Sequence, residues 1–203
     1  MHRLSPVFAI LVLFPASVSA QDSTAAGTPF RRGQWAAQFQ AGTGFSSLGF
    51  IKFRSPTGAL VLDLRIGGQH SEGLTRDSSG ANQFDRLNST AFAQLRFGWR
   101  RYGGDGRTAK VMSHYSLGLA AGFTHSASRE PTAWRQRNAW TSGAFGDVGG
   151  TYLLTSKFGI GALATATLSY ENGVTKDSFG GRSRDWSIGG SAMSASLVAT
   201  VFF

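Results

Sequence analysis

The sequence predicts an all-β chain folded as an eight-stranded antiparallel up-and-down transmembrane β-barrel, and three observations support this prediction. Apolar residues recur at every second position in long segments, which is the period of a strand with one apolar and one polar face. Eight such segments follow one another, separated by connections that alternate between short and long. Aromatic residues stand near both ends of these segments, as they do at the two boundaries of a membrane.

The predicted strands have short connections at one end of the barrel and longer ones at the other. Residues 55–58 and the residues around Thr155 read as tight turns, and 101–108 as a somewhat longer one. The first connection at the opposite end, near Ser46, is short, whereas three long polar loops are expected at 71–87, 125–138 and 172–186. Both ends of the chain then lie on the side with the short turns. The eight strands are predicted at 33–45, 47–54, 59–70, 88–101, 110–124, 139–153, 158–171 and 187–203.

The first 20 residues have the pattern of a secretory signal peptide and are excluded from the fold. An apolar run, Val7–Phe14, follows Arg3, and small residues precede the expected cleavage point before Gln21. Residues 21–32 are predicted to be a flexible leader because they contain Gly, Pro and paired Arg. The barrel domain is expected to occupy residues 33–203, with no second domain.

Charge and cysteine content restrict the possible functions. The chain has no cysteine, which excludes disulfides, thiol catalysis and Cys-based metal sites. Its net charge is +9, and removal of the signal peptide takes away only one cation, Arg3. An exported protein rarely meets nucleic acid, so the anionic partners we expect are lipopolysaccharide phosphates or acidic surface sugars. Alternatively, much of the positive charge lies inside the barrel or at its rims.

The aromatic residues on the apolar face of the strands are predicted to form two levels, one at each boundary of the membrane. Trp140 and Tyr152 are 12 residues apart in one strand, which gives roughly 28 Å of height at about 3.3 Å per residue and a tilt near 45°. This height matches the apolar thickness of a bilayer. A soluble barrel of the lipocalin kind is the alternative, because alternation alone does not say which face points outward. The aromatics are Trp35, Trp99, Tyr152, Phe158 and Phe203 at one level and Phe45, Phe123, Trp140 and Tyr170 at the other.

The last eleven residues alternate cleanly and end on Phe203, with Leu197, Ala199 and Val201 on the same face. This segment resembles the closing strand of small bacterial outer-membrane barrels of the OmpA and OmpX type. The resemblance implies an outer-membrane location, and we expect a monomer without cofactor. It also implies that Phe203 is the assembly signal read by the barrel assembly machinery.

The inward parity predicts a polar lumen. Eight strands leave an interior just wide enough for side chains to fill it. Buried charges are costly unless paired, so Asp63, Asp147 and Glu171 are expected to bond Arg65, Arg96 or Lys52. Such a network would plug the barrel; alternatively, its movement would open a narrow path for ions or small solutes. The predicted network comprises Lys52, Asp63, Arg65, Gln94, Arg96, Arg100, His114, Asp147 and Glu171, with Gln38, Gln40 and Arg54 on the same parity.

Catalysis is a further possibility because some eight-stranded barrels modify lipid A. The lipid A deacylase family uses a His-X-Ser pair with a Glu on the lipid side of the barrel. Here the pair His114 and Ser116 has that spacing but faces inward, while His125 and Ser128, near Glu130, have the wrong spacing. No catalytic residue, metal ligand or cofactor site is therefore predicted.

The long loops are the remaining functional candidates. Five arginines on two of them are predicted to contact lipopolysaccharide phosphates, namely Arg129, Arg135, Arg137, Arg182 and Arg184. The sequence favours a barrel with a structural or surface-interaction role. The alternatives are a narrow pore and, third, a lipid A-modifying enzyme.

Overall fold

The computed structural model of the protein describes residues 30–76, 83–103, 110–130 and 133–203, and these residues form a closed antiparallel barrel. Each strand pairs with its neighbours in sequence, and β1 closes the ring against β8. The prediction of an all-β, eight-stranded up-and-down barrel is confirmed. No helix in the described residues is long and apolar enough to cross a membrane. The strands are β1 (Trp35–Gly42), β2 (Phe45–Phe53), β3 (Gly58–Arg76), β4 (Gln83–Gly103), β5 (Val111–Glu130), β6 (Ala133–Leu153), β7 (Phe158–Asp177) and β8 (Arg182–Phe202).

The strands differ in length, so all eight form a closed ring, and six of them continue beyond it. β1 and β2 have 8 and 9 residues, whereas the other six strands have 19 to 21. We call the end where β1 begins and β8 finishes the near end, and the opposite end the far end. The part of β3 to β8 beyond the β1–β2 turn is called the extension.

The expectation of long polar loops at 71–87, 125–138 and 172–186 is wrong. β5 continues to Glu130 and β6 begins at Ala133, while β7 continues to Asp177 and β8 begins at Arg182. β3 and β4 are likewise paired as far as Arg76 and Gln83. These hairpins have polar residues on both faces. Alternation between apolar and polar residues therefore gives no signal there, although the backbone pairing continues.

The turns at both ends are tight where they are described. At the near end, residues 54–57 and 154–157 connect β2 to β3 and β6 to β7, as predicted. At the far end, β1 and β2 are joined through Thr43 and Gly44, and Gly44 has a φ of 79° that favours glycine. The connection predicted at 101–108 lies largely outside the described residues, as does the segment predicted to be the signal peptide.

The outward and inward parities follow the sequence on most strands. On β5, Leu117 and Leu119 are exposed while Met112, His114 and Ser116 are buried. β2 is the exception, because its inward residues are the odd-numbered ones, including Ile51 and Phe53. Phe45 therefore lies on the inward side, where its ring stacks over the Arg65 guanidinium at 4.6 Å. The prediction that places Phe45 at the far aromatic level is wrong.

An apolar cluster fills the near end of the lumen, where the inward parity predicts polar residues. Phe30 packs against the rings of Phe53, Tyr102 and Phe202, with centroids 4.4, 4.8 and 5.2 Å away. Phe30 belongs to the segment predicted to be a flexible leader, yet only 4% of it is exposed. Phe30 therefore enters the barrel and closes its near end, while Arg31 and Arg32 are exposed. The other buried members are Ala36, Ile51, Ala59, Val61 and Met112.

Candidate functional site in the barrel lumen

The middle of the lumen is occupied by an ion network centred on Arg96 of β4. Its guanidinium donates to both carboxylate oxygens of Asp147 on β6, at 2.6 and 2.8 Å, and to Asp63 on β3 at 3.4 Å. Arg96 is 1% exposed. The Phe145 ring lies 3.7 Å from the guanidinium carbon, a cation–π contact that covers one of its faces. One buried cation thus joins β4 to its neighbour β3 and to β6, two strands away.

Arg65 adds a second bridge one step toward the far end. Its Nε donates to Asp63 at 3.3 Å, and its Nη2 donates to the Gln40 carbonyl at 3.3 Å and to the Thr165 hydroxyl at 3.2 Å. Thr165 in turn donates to Asp147 at 2.7 Å. Two arginines and two aspartates are therefore linked through a threonine and an amide into one network that touches β1, β3, β4, β6 and β7. The two cations balance the two anions, which limits the cost of burial.

Arg100 forms a separate group nearer the apolar cluster. Its Nη1 donates to the Gln38 carbonyl at 2.6 Å and its Nε donates to the Ser116 hydroxyl at 2.8 Å. Both acceptors are neutral, and Arg100 is 1% exposed. Arg100 thus links β4 to β1 across the lumen and to its neighbour β5.

His114 and Gln94 lie on the inward face without joining the ion network. The His114 ring packs against Tyr102 with centroids 5.4 Å apart, and neither ring nitrogen has a hydrogen-bond partner within the described residues. Gln94 is half-buried on β4, directly opposite Arg65 in the register. His114 therefore belongs to the edge of the apolar cluster.

Lys52 lies outside the lumen, contrary to the prediction. It is on the outward parity of β2, and its ammonium sits 4.7 Å from the centre of the Trp35 ring on the barrel's outer surface. Arg54 is exposed on the same parity. The prediction assumed that charges point inward, but the inward residues at this end of β2 are Ile51 and Phe53, which the apolar cluster requires.

Glu171 faces inward but belongs to a second cluster, in the extension. It accepts a hydrogen bond from Arg137 Nη1, and Arg137 also donates to Asp185 through Nη2 at 2.6 Å and through Nε at 3.2 Å. The hydrogen bond to Asp185 and the charge of Glu171 raise the pKa of Arg137 despite its partial burial. A Cβ on Gly173 would stand 2.8 Å from Arg137 Nη2, so glycine there makes room for the guanidinium. This cluster ties β6, β7 and β8 together.

The five arginines expected on far-end loops are in strands, and they do not behave alike. Arg137 is held by Glu171 and Asp185, so it is not free to meet an external phosphate. Arg129 is exposed near the end of β5, and Arg135 is exposed opposite Asp177. Arg182 and Arg184 are exposed at the start of β8. Phe203 is 67% exposed, and its backbone pairs with Trp35.

One member of each histidine and serine pair considered for catalysis is engaged elsewhere. Ser116 accepts from Arg100, while His125 Nδ1 lies 2.7 Å from the Asn138 carbonyl oxygen. Glu130 forms an exposed ion pair with Arg86 at 3.6 Å. In the described ranges no group of three or more His, Asp or Glu could hold a metal ion.

Several residues that build the site are not predicted from the sequence. Thr165 and Phe145 contact the network directly, and Ser116 is considered from the sequence only as a possible nucleophile. The signal for Thr165 and Phe145 is their inward parity, which places them in the lumen. Which charge each one meets depends on the stagger between strands, and the parity of a single strand does not give that.

Comparison with known proteins identifies the architecture. The chain is similar to the crystal structure of a major outer membrane protein from Thermus thermophilus, with a TM-score of 0.51 and 13% sequence identity. The likeness covers 84% of this chain and 99% of that one. The fold is that of an outer-membrane β-barrel. No protein-family profile matches the sequence, and no curated protein matches it.

Proposed function

We propose that the protein is a monomeric outer-membrane barrel of the small OmpA and OmpX type, exported by its N-terminal signal, with a structural or surface-interaction role. In this proposal the barrel is closed to solutes. The observation that carries it is the buried ion network, in which Arg96 bonds Asp147 and Asp63 while Arg65 of β3 reaches Thr165 of β7 on the opposite wall. In this proposal the side chains of the network occupy the middle of the lumen and block the passage of ions.

The apolar cluster at the near end supports the same proposal. Phe30, Phe53, Tyr102 and Phe202 stack across the opening, so a solute would have to pass an ion network and then an aromatic layer. A pore needs a continuous polar lining with weak, exchangeable sites. These two barriers in series favour a plug over a channel.

Conductance in a planar bilayer tests the closed state. We expect the purified, folded protein to insert without steady single-channel steps. The double variant F30A/D147N removes one contact from each barrier and serves as the matched comparison. Steady steps from the unmodified protein that disappear when Arg96 or Asp63 is changed would establish a pore and overturn the proposal. Mass spectrometry of lipid A from cells that produce the protein tests the enzyme alternative, and we expect unchanged lipid A.

A further inference from the structure

Three cations stand together on the outward face of the β7–β8 hairpin in the extension. Lys176 is directly opposite Arg182 in the register, and Arg184 is the next outward residue on β8. All three side chains are exposed. Like charges directly opposite each other destabilise a strand pair. A bound anion between them would relieve this repulsion.

The acidic residues of the same hairpin are committed elsewhere. Glu171 and Asp185 are bonded to Arg137 on the inward side. Asp177 accepts hydrogen bonds from the backbone N–H groups of Phe179 and Gly181 in the turn. Among the described residues, the outward parity of β5 to β8 carries no Asp or Glu. The outward face that carries the three cations therefore has no acidic residue among the described positions, and Asp177 of the turn is the carboxylate that borders Lys176 and Arg182.

An apolar groove runs along the outer surface directly below these cations. Small residues on β5 and β6 form its floor, and larger side chains on the flanking positions form its walls. Ala121 and Ala144 line the floor, between Phe97 and Leu119 on one side and Leu168 and Ile188 on the other. A groove of this kind, open to the surroundings and lined by methyl and ring carbons, suits an alkyl chain.

An aromatic level separates the groove from the cations. Phe123 and Trp140 meet edge to face with centroids 5.2 Å apart, and Trp186, which is 69% exposed, lies at the same register level two strands from Trp140. Four residues separate Ile188 in the groove from Arg184, which is about 13 Å along the strand. Aromatic side chains prefer the boundary between hydrocarbon and headgroups. Along this face the apolar groove is followed by the aromatic level and then by the cations. A lipid in the outer leaflet has the same order, with its acyl chain first, then the interface, then its phosphate.

We propose that this face binds lipopolysaccharide, with a phosphate at Lys176, Arg182 and Arg184 and an acyl chain in the groove over Ala144. The inference rests on the proposed function, since it requires the barrel to be embedded with its far end in the outer leaflet. It also replaces the five-arginine set expected from the sequence. Arg137 is excluded because its guanidinium already binds two carboxylates, and Lys176 is added because it faces outward opposite Arg182.

The test is equilibrium binding of purified lipopolysaccharide to the full folded protein immobilised in neutral detergent, at several salt concentrations. The variant K176Q/R182Q/R184Q removes the proposed phosphate contacts. The matched control R54Q/R101Q/K157Q removes three exposed cations at the near end, so both proteins lose the same charge. A third variant, A144F, fills the groove. Phosphatidylglycerol is titrated in parallel, and circular dichroism checks that every variant is folded.

We expect the far-end triple variant to bind lipopolysaccharide at least about tenfold more weakly and with a flatter salt dependence, while the near-end control is unchanged. A144F should weaken binding without changing the salt dependence. Three results would overturn the proposal: equal losses in both triple variants, unchanged binding in A144F, or equally tight phosphatidylglycerol binding with the same sensitivity. If the lipopolysaccharide test fails and the planar bilayer shows no steady conductance steps, the proposal of a closed barrel still stands. The two proposals are therefore tested separately.

Discussion

Arg96 is the residue that joins the two buried aspartates of the lumen. It is the only side chain in the described lumen that bonds both Asp63 and Asp147, and its remaining face is covered by Phe145. Moving such a charge out of water is costly, and the cost is offset only when its hydrogen bonds and counter-charges are in place. The arrangement therefore makes the network sensitive to the loss of any one partner.

Changing Asp147→Asn should destabilise the barrel by about 3–5 kcal/mol. The substitution keeps the size of the side chain but removes the negative charge that faces Arg96 at 2.6 Å, and it leaves a buried cation only partly paired. The free energy of unfolding in urea, measured in detergent, reports the effect. The control is E72Q in an exposed pair with His70, where a change within about 1 kcal/mol is expected. Equal stability of D147N and E72Q would contradict the importance of the network.

Phe30 provides a residue-scale test of the near-end cluster. Phe30→Ala removes a ring that stacks on Phe53 and Phe202, and the surrounding barrel wall is unable to collapse into the space. We expect a loss of about 3–5 kcal/mol, as for other buried aromatic truncations. The comparison is F179A, a change at a ring that is 84% exposed. If thermal unfolding of F30A matches that of F179A, Phe30 does not close the barrel.

At the scale of the element, β2 shows how a short strand is oriented by what it must bury. Its inward positions near the turn to β3 are Ile51 and Phe53, which complete the apolar cluster. Lys52 is therefore forced outward, where its stem lies along the surface and its ammonium reaches the Trp35 ring. Successive side chains of a strand point to opposite faces, so burying residues 51 and 53 inside the barrel makes the charged side chain between them point outward.

The outward face of β5 gives a prediction for the membrane-spanning strands of the proposed function. Leu119 lies midway between Tyr115 and Phe123 on the outward parity and is 70% exposed. Leu119→Arg should cost about 2–4 kcal/mol if this level is the middle of the bilayer. Ser89→Arg, on the outward face of the extension opposite His70 and Ala127, should cost close to nothing. Refolding into lipid vesicles followed by urea titration measures both, and similar values would argue for a soluble barrel.

At the scale of the whole molecule, the short first hairpin leaves an opening in the extension. Beyond the β1–β2 turn, β3 and β8 each lose one neighbour, and strands about 4.8 Å apart leave a gap roughly 14 Å wide between them. The last contact is the Gly68 N–H, which donates to the Gly44 carbonyl. The ring below is closed, whereas the extension is an open sheet with two free edges among the described residues.

Hydrogen exchange should reveal this boundary. N–H groups two residues apart in a strand point the same way, so those of His70 and Glu72 follow Gly68 and point into the gap. They should exchange much faster than the amide of Thr90, which lies in a strand paired on both sides. Mass spectrometry or NMR of the folded protein in detergent measures these rates. Equal protection of His70 and Thr90 would mean that another segment covers the edge of β3.

The sequence by itself determined the number of strands, their order and the outward face of most of them, because a two-residue period is local and survives in a single chain. It also placed Asp63, Arg65, Arg96 and Asp147 on the inward parity for the same reason. The strands of the extension could not be predicted from the sequence, because paired strands with polar residues on both faces show no alternation of apolar and polar residues.

Tertiary structure alone decided which charges meet. The partners of Arg96 come from β3 and β6, and Glu171 pairs with Arg137 because closure and stagger bring those levels together. It also decided that Phe30 lies inside the barrel and that Lys52 lies outside it. Both placements follow because the apolar cluster must fill the near end of the lumen. The face to which a side chain points is a property of a single strand. Which charges pair, and which side chains fill the lumen, depend on how all eight strands come together in the closed ring.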